Sequence, residues 1–173
     1  PGGSALLEGL PNTDGWLHAR VCDGAGNWGP VSSSRLLVDN DPPVASALSP
    51  PAGANTAVSN VELSLTDNGV AGIDPTSIVL SVGGVEYNLE NRGLIYDSNS
   101  GRLVWNCEEV SPQAVVFPDK AIIEVKLKAA ADFAGNLLRQ PPAWTWIMDY
   151  SQDRTPPRIA RVQSSTHDTF LAD

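Results

Sequence analysis

Cysteine, histidine and methionine are scarce in this chain of 173 residues, which has two, two and one of them. Neither Cys22 nor Cys107 belongs to a Cys-x-x-Cys pair or to any spacing typical of metal ligands. The scarcity excludes a disulfide framework and makes a zinc site improbable. We expect Cys22 and Cys107 to be two separate thiols.

Basic residues and long apolar runs are also scarce. Eleven Lys and Arg stand against 20 Asp and Glu, so the net charge is −9 and the pI is near 4.5. Such a chain is repelled by nucleic acid and by anionic membranes. No apolar run approaches the roughly 20 residues of a membrane span, so we expect no membrane insertion. The opening lacks the regions of a signal peptide and looks like the interior of a module, which indicates a fragment.

The residues that are present predict a packed protein rich in turns: 42% are hydrophobic, 18% are charged, and there are 15 Gly and 14 Pro. Apolar and polar residues alternate over several short segments, which is typical of strands with one buried face. No segment predicts a helix, and the Ala-rich stretch from Lys126 to Ala134 continues an alternating strand. The sequence predicts an all-β fold whose core includes Val61, Leu63, Leu65, Ile123, Val125, Leu127, Ala129, Trp144, Trp146 and Met148.

Two phrases recur in the same order and set the expected boundaries. Asp23-Gly-Ala-Gly-Asn27 is repeated as Asp132-Phe-Ala-Gly-Asn136, and Asp41-Pro-Pro43 is repeated as Thr155-Pro-Pro157. Each copy runs from a strand through a turn and a further strand to a Pro-Pro linker, which cannot continue a sheet ladder. We expect residues 1–40 to close one module, 41–152 to form a complete module, and 153–173 to open a third.

These features resemble the immunoglobulin-like repeats, of the Big or fibronectin III type, in large bacterial surface and secreted proteins. The resemblance covers nearly the whole chain and includes the Pro-Pro opening, the loop that starts at Asp67, the hairpin around Asp97, the Asp132 turn and the strand at Trp144. It implies tandem immunoglobulin-like β-sandwiches in an extracellular or cell-surface protein. It implies a role in spacing, display or adhesion, with neighbouring modules as the first partners.

Catalysis is not expected. Only His18 and His167 could serve as the base of a serine hydrolase, and both lie outside the predicted complete module. The chain has no Gly-x-Ser-x-Gly elbow. The expected function is therefore a non-catalytic structural or adhesive repeat. The alternatives are a glycan- or protein-binding module and an accessory region of a secreted hydrolase whose catalytic domain lies elsewhere.

Calcium is the only cofactor that the sequence suggests, because hard oxygen ligands are the ones available. Asp39 and Asp41 lie together in the first linker, and Asp67 lies in a turn that could approach it. The alternative is that Asp and Asn cap these turns by bonding to their own backbone. The second linker retains one acid and adds a cation, so a calcium site at every junction is not expected.

Five tryptophans in a chain with few aromatics suggest a second kind of site, since an indole face can stack on a sugar ring. Trp105, Trp144 and Trp146 lie in predicted strands and are expected in the core. Trp16 and Trp28 flank the turn of the first module and are the candidates for glycan binding. A glycan or another protein subunit would then be the partner.

Overall fold

A computed structural model describes residues 8–110, 117–154 and 156. Over these residues the fold is nearly all β, as predicted, with eleven strands arranged in three sheets. No helix within the described ranges is long and apolar enough to cross a membrane. The predicted third segment, 153–173, lies outside the described residues except for 153, 154 and 156, and His167 lies outside them as well.

The first sheet is an antiparallel hairpin of β1 (Thr13–Ala19) and β2 (Ser32–Val38). Most of its side chains are exposed. An isolated two-stranded hairpin is marginally stable in water. The position of this hairpin therefore depends on its contacts with the linker that follows β2.

The other two sheets share one hydrophobic core, and we call these two sheets together the large module. The four-stranded sheet has the order β3-β5-β9-β8 and contains β3 (Val44–Ser49), β5 (Val61–Thr66), β9 (Arg102–Trp105) and β8 (Leu94–Asp97). The five-stranded sheet has the order β4-β11-β10-β6-β7 and contains β4 (Asn55–Thr56), β11 (Ala143–Met148), β10 (Ile122–Asp132), β6 (Ile73–Val82) and β7 (Val85–Tyr87). All pairings are antiparallel except that β4 runs parallel to β11.

Alternation decides which side chains enter this core. Val61, Leu63 and Leu65 of β5 are each at most 1% exposed, while the residues between them are partly exposed. The predicted core residues of β10 and β11 are also buried, except Ala129, which is exposed because β10 changes phase after Leu127. Trp105 and Trp146 sit at the centre, each within about 6 Å of the Phe117 ring centroid. The prediction that Trp105, Trp144 and Trp146 are core residues is confirmed.

The expectation of no helix was wrong at one place. A single helical turn, α1 (Cys107–Val110), follows β9, and a 3-10 turn spans Tyr150–Gln152. The side chain of Asn60 accepts a hydrogen bond from the backbone N–H of Cys107 at 3.0 Å, and Asn106 accepts one from Glu108 at 3.0 Å. Side-chain acceptors at the first N–H groups stabilise a helix start. Four residues are too few to show an apolar period of 3.6.

Candidate functional site

The repeated Asp-x-Ala-Gly-Asn phrase forms the same turn twice. In both copies the Asn backbone N–H donates to Asp Oδ1 at 2.8 Å, and the Asn side-chain amide donates to Asp Oδ2, at 2.9 Å for Asp23 and 2.7 Å for Asp132. The glycines have φ of 89° at Gly26 and 90° at Gly135, a region that favours glycine. The five-residue phrase therefore folds into the same turn at both places.

Asp39 ties the first linker to the large module. It follows β2 directly and is buried, and its Oδ2 accepts a hydrogen bond from Ala71 N–H at 2.6 Å. Its Oδ1 accepts from Asp41 N–H at 2.9 Å, and its backbone carbonyl accepts from the Asn136 side chain at 2.9 Å. The bonds from Ala71 and Asp41, in that order of weight, lower the pKa of the Asp39 carboxyl. Asp39 is thus a charged acceptor held by backbone donors.

Asn40 and Asp41 tie the same linker to the segment that leads into β1. The backbone N–H of Asn40 donates to Asn12 Oδ1 at 2.8 Å, and its side chain donates to the Leu10 carbonyl at 3.1 Å. The Asn12 side chain donates to Asp41 Oδ2 at 2.8 Å. Three consecutive linker residues therefore bond on one side to the hairpin segment and on the other to the large module. We call residues 39–41 and their partners the junction.

The strand-terminal acid after β11 makes a different contact. Asp149 corresponds to Asp39, because each directly follows the last strand of its copy and accepts a bond from the backbone two residues on. Asp149, however, forms an ion pair with Lys120 of the same module, which lowers its pKa to about 2. Among the described residues, the carboxylate of Asp39 therefore accepts from a distant loop, whereas that of Asp149 pairs with a nearby lysine.

Three carboxylates meet beside the junction. Asp39, Asp67 and Asp132 each place an oxygen within 4.8 Å of the others, and Asp39 and Asp132 are buried. The structure thus brings together two of the three predicted calcium ligands, Asp39 and Asp67. Asp41 is not in this group, and Asp132 was not predicted. The spacing of Asp132 from Asp39 in the sequence gave no signal of their contact, which depends on the turn after β10.

Backbone and amide donors already contact this cluster. Asp67 accepts from Gly69 N–H at 3.0 Å and from Gly72 N–H at 2.8 Å, so each of its oxygens has one bond. Asp39 and Asp132 are also bonded once at each oxygen. The turn-capping interpretation accounts for the bonds to Asp67 and Asp132 and for the bond from Asp41 to Asp39, but not for the bond to Asp39 from Ala71, which is 32 residues away. An ionised carboxylate has about four acceptor sites, so the oxygens that already accept hydrogen bonds keep further sites for an ion. Carboxylate oxygens are ligands of the kind that calcium prefers, but these three side chains supply fewer ligands than its usual six to eight. Calcium stays a prediction.

The two candidate sugar-stacking tryptophans are exposed, Trp16 by 65% and Trp28 by 58%. Trp16 lies in β1 and Trp28 follows the first Asp-x-Ala-Gly-Asn turn. The Arg20 guanidinium lies 4.2 Å from the centre of the Trp28 ring, within cation–π range. One face of Trp28 is therefore covered by a cation, which the sequence did not reveal.

The remaining polar residues of interest occupy separate places. His18 is exposed on β1 and its Nδ1 is 2.7 Å from Ser33 Oγ. Cys22 is exposed and Cys107 is buried, and no disulfide joins them. Burial raises the pKa of the Cys107 thiol. Among the described residues, His18, Cys22 and Cys107 do not place a nucleophile, a base and an acid together.

The burial of Asp132 leads to a first prediction. Replacing Asp132 with Ala removes a buried acceptor for two donors of Asn136, so we expect the free energy of unfolding to fall by about 1–3 kcal/mol. Asp97→Ala is the matched control. Asp97 also caps a turn, at Asn99 and Ser100, but is exposed, and water can replace it. Urea unfolding measures both, and equal losses would contradict a role for burial.

No family model and no curated protein matches this chain.

Proposed function

We propose that this chain is a non-catalytic structural segment of an extracellular or cell-surface bacterial protein, in which immunoglobulin-like modules follow one another at fixed angles. The strand order supports the immunoglobulin-like assignment. An immunoglobulin sandwich has strands A, B, E and D in one sheet and C, F and G in the other. The orders β3-β5-β9-β8 and β4-β11-β10-β6-β7 follow this arrangement if β3 is strand A and β11 is strand G.

The tandem arrangement is supported by the repeated turn. The hairpin β1–β2 has the Asp23 turn and ends in Asp39, as β10 and β11 have the Asp132 turn and end in Asp149. On this basis the hairpin corresponds to the last two strands of a second module. Location outside the cell rests on the resemblance to bacterial surface repeats.

The junction carries the proposal that the module's role is mechanical. A linker that lacked contacts would let neighbouring modules reorient freely. Here Asp39 bonds to Ala71 in the large module, while Asn40 bonds to Asn12 before β1. Pro43, which follows, is buried and has no N–H to exchange with solvent. A junction held in this way would keep neighbouring modules at a fixed angle, which suits a rigid spacer.

Gly69 offers a direct test of the junction. A Cβ placed on Gly69 would overlap both carboxylate oxygens of Asp39. Gly69→Ala should therefore displace the Asp39 side chain and break its bond to Ala71. We expect ¹⁵N relaxation to show one tumbling time for the β1–β2 amides and the large module in the unmodified chain. In Gly69→Ala the hairpin amides should tumble faster, and Ala71 N–H should exchange faster with solvent.

Gly24→Ala is the matched control, because Gly24 has open space around it and, like Gly69, no positive φ. It should leave both measurements unchanged. Independent tumbling of the hairpin in the unmodified chain would count against a fixed junction. Small-angle scattering of a longer chain with two whole neighbouring modules tests the wider role. An extended particle is expected, and a compact one would contradict the spacer function.

A further inference from the structure

Two loops of the large module hold Asp39 and form the end that faces the junction. The loop of residues 67–72 follows β5 and donates a backbone N–H to the Asp39 carboxylate. The turn of residues 132–136 follows β10 and donates a side-chain amide to the Asp39 carbonyl. The two loops are also joined to each other, because Phe133 N–H donates to the Gly72 carbonyl at 3.0 Å. We call these two loops the junction end of the large module.

Phe133 is exposed at the junction end, although the turn does not need its side chain. The residue is 67% exposed. Gly24 occupies the same position in the first copy of the turn, where Asp and Asn make the same hydrogen bonds. The two copies of the five-residue phrase differ at this position alone. Neither burial in the large module nor the geometry of the turn therefore accounts for a phenylalanine here.

The surface beside Phe133 has the composition of a protein interface. Val70, in the other loop of the junction end, is 47% exposed. A cleft of about 370 Å³ lies between Phe133 and the turn that joins β8 to β9. Tyr96 and Ile73 are among its lining residues, and only Asp67 among them is charged. Aromatic side chains are enriched, and charged ones depleted, at the centres of protein interfaces.

The β1–β2 hairpin approaches the large module from this end. Leu10 and Asn12, just before β1, accept hydrogen bonds from Asn40 of the linker. The hairpin contributes no residue to the lining of the cleft, which stays open beside it in the described structure. In a complete sandwich, two sheets pack about 10 Å apart. The strands that complete the preceding module would therefore widen its end around the linker, where the junction end lies.

We propose that Phe133, Val70 and the cleft bind the body of the preceding module, meaning the part of it outside β1–β2. This inference rests on the proposed tandem arrangement and adds a second contact to the bonds of the linker. Interfaces between domains of one chain typically bury roughly 600–1,500 Å², which hydrogen bonds along a linker do not supply. A contact to one side of the linker opposes bending there, so it fixes the angle between the modules.

The charges of the junction end limit what can enter the cleft. Asp67 lines it, and the carboxylates of Asp39 and Asp132 lie within 4.8 Å of that of Asp67. Like charges placed together across an interface oppose binding. The part of the preceding module that fills the cleft is therefore an apolar or uncharged loop and not an acidic one.

The test measures the exposure of Phe133 in two chains of this protein. One is the chain of 173 residues, and the other extends upstream to include the whole preceding module. A pulse of hydroxyl radicals oxidises exposed side chains, and mass spectrometry gives the rate at each residue. We expect Phe133 to be oxidised several-fold more slowly in the longer chain. Ile122, 71% exposed at the opposite end of β10, is the internal control and should react equally in both.

Variants of the longer chain identify the side chain that makes the contact. Phe133→Gly gives the second turn the sequence of the first, which forms the same turn with Gly24, so the turn should be kept. This variant should restore the oxidation rate of Tyr96, in the cleft, to its value in the shorter chain. Phe133→Leu keeps an apolar side chain and should retain most of the protection. Ile122→Ala is the matched control and should leave Tyr96 protected.

Equal oxidation rates of Phe133 in the two chains would overturn the proposal, and so would continued protection of Tyr96 in Phe133→Gly. Equal rates are the expected result if a small molecule or a separate protein occupies the cleft instead, since neither is present in the purified chains. Small-angle scattering of the same longer chain separates this failure from that of the spacer function. An extended particle with a fully reactive Phe133 would keep the spacer and remove the contact, and a compact particle with a protected Phe133 would do the reverse.

Discussion

Replacing Trp146 with Ala is expected to lower the free energy of unfolding by about 3–5 kcal/mol, the usual cost of removing a large aromatic side chain from a packed core. Trp146 is 0% exposed and lies on β11, opposite Ile123 of β10. Its ring meets Phe117 edge to face, with centroids 6.3 Å apart. Phe117 in turn contacts Trp105 on the other sheet. The cavity would therefore open between the two sheets, where neighbouring strands cannot close it.

Two further variants sharpen this expectation, with denaturant unfolding as the measurement. Phe133→Ala removes an aromatic ring that is 67% exposed and should change stability by less than about 0.5 kcal/mol. Trp146→Phe keeps a ring and removes an indole N–H that has no hydrogen-bond partner in the described structure. Its loss should be smaller than that of Trp146→Ala. A similar loss for Trp146→Ala and Phe133→Ala would show that this core is not the source of stability.

The strands of the large module were predictable because the burial of a sheet face produces a period of two. In β5, every second residue from Val61 to Leu65 is buried, so a single pattern reveals both the strand and its inner face. The hairpin around Asp97 was also expected, and β8 and β9 do pair on either side of its turn. Local chemistry determined these elements, and local chemistry is what a sequence shows directly.

Irregular parts of the strands were harder to predict. β10 alternates as far as Leu127 and then changes phase, so that Ala130, Ala131 and Asp132 are all buried. Its register with β6 shifts twice in this part, and a bulge of this kind leaves no simple pattern. β4 consists only of Asn55–Thr56, which is too short to show any period.

The acidic cluster shows why sites are less predictable than strands. Asp39 and Asp67 could be suspected of proximity, since each lies in a loop near the expected junction. Asp132 joins them because β10 delivers its turn to the same end of the sheets. The contact between Asn136 and the Asp39 carbonyl links residues 97 positions apart. Such residues come together only because distant strands pair. The alternation of apolar and polar residues within one strand does not indicate which strands pair.

The stacking of Arg20 on Trp28 is another contact that the sequence did not reveal. The two residues lie on either side of a turn, and their meeting depends on the bridge between Cys22 and Trp28. Exposure of Trp28 was predicted from its place beside the turn. Its contact with a cation was not, because that contact depends on pairing across the turn.

Replacing Gly93 with Ala should be nearly as damaging as a core truncation. Gly93 has a φ of 87°, which costs an L-residue roughly 1–2 kcal/mol. A Cβ there would also lie 2.5 Å from Val110 Cγ2 and 2.8 Å from the Asn106 carbonyl oxygen. Overpacking of this kind typically costs about 1–3 kcal/mol. We expect the two effects together to lower the free energy of unfolding by about 2–5 kcal/mol.

Gly84 separates the two causes, because it has the same φ of 87° and open space around its missing Cβ. Gly84→Ala should show the conformational cost alone, about 1–2 kcal/mol. The difference between the two variants in denaturant unfolding then measures how closely α1 packs on the loop before β8. The backbone N–H of Asn106 donates to the Gly93 carbonyl at 2.7 Å, so the loop cannot move away without breaking a bond. Equal losses of unfolding free energy in Gly93→Ala and Gly84→Ala would mean that α1 moves away from the added Cβ at little cost. This helical turn would then contribute little to the module's rigidity.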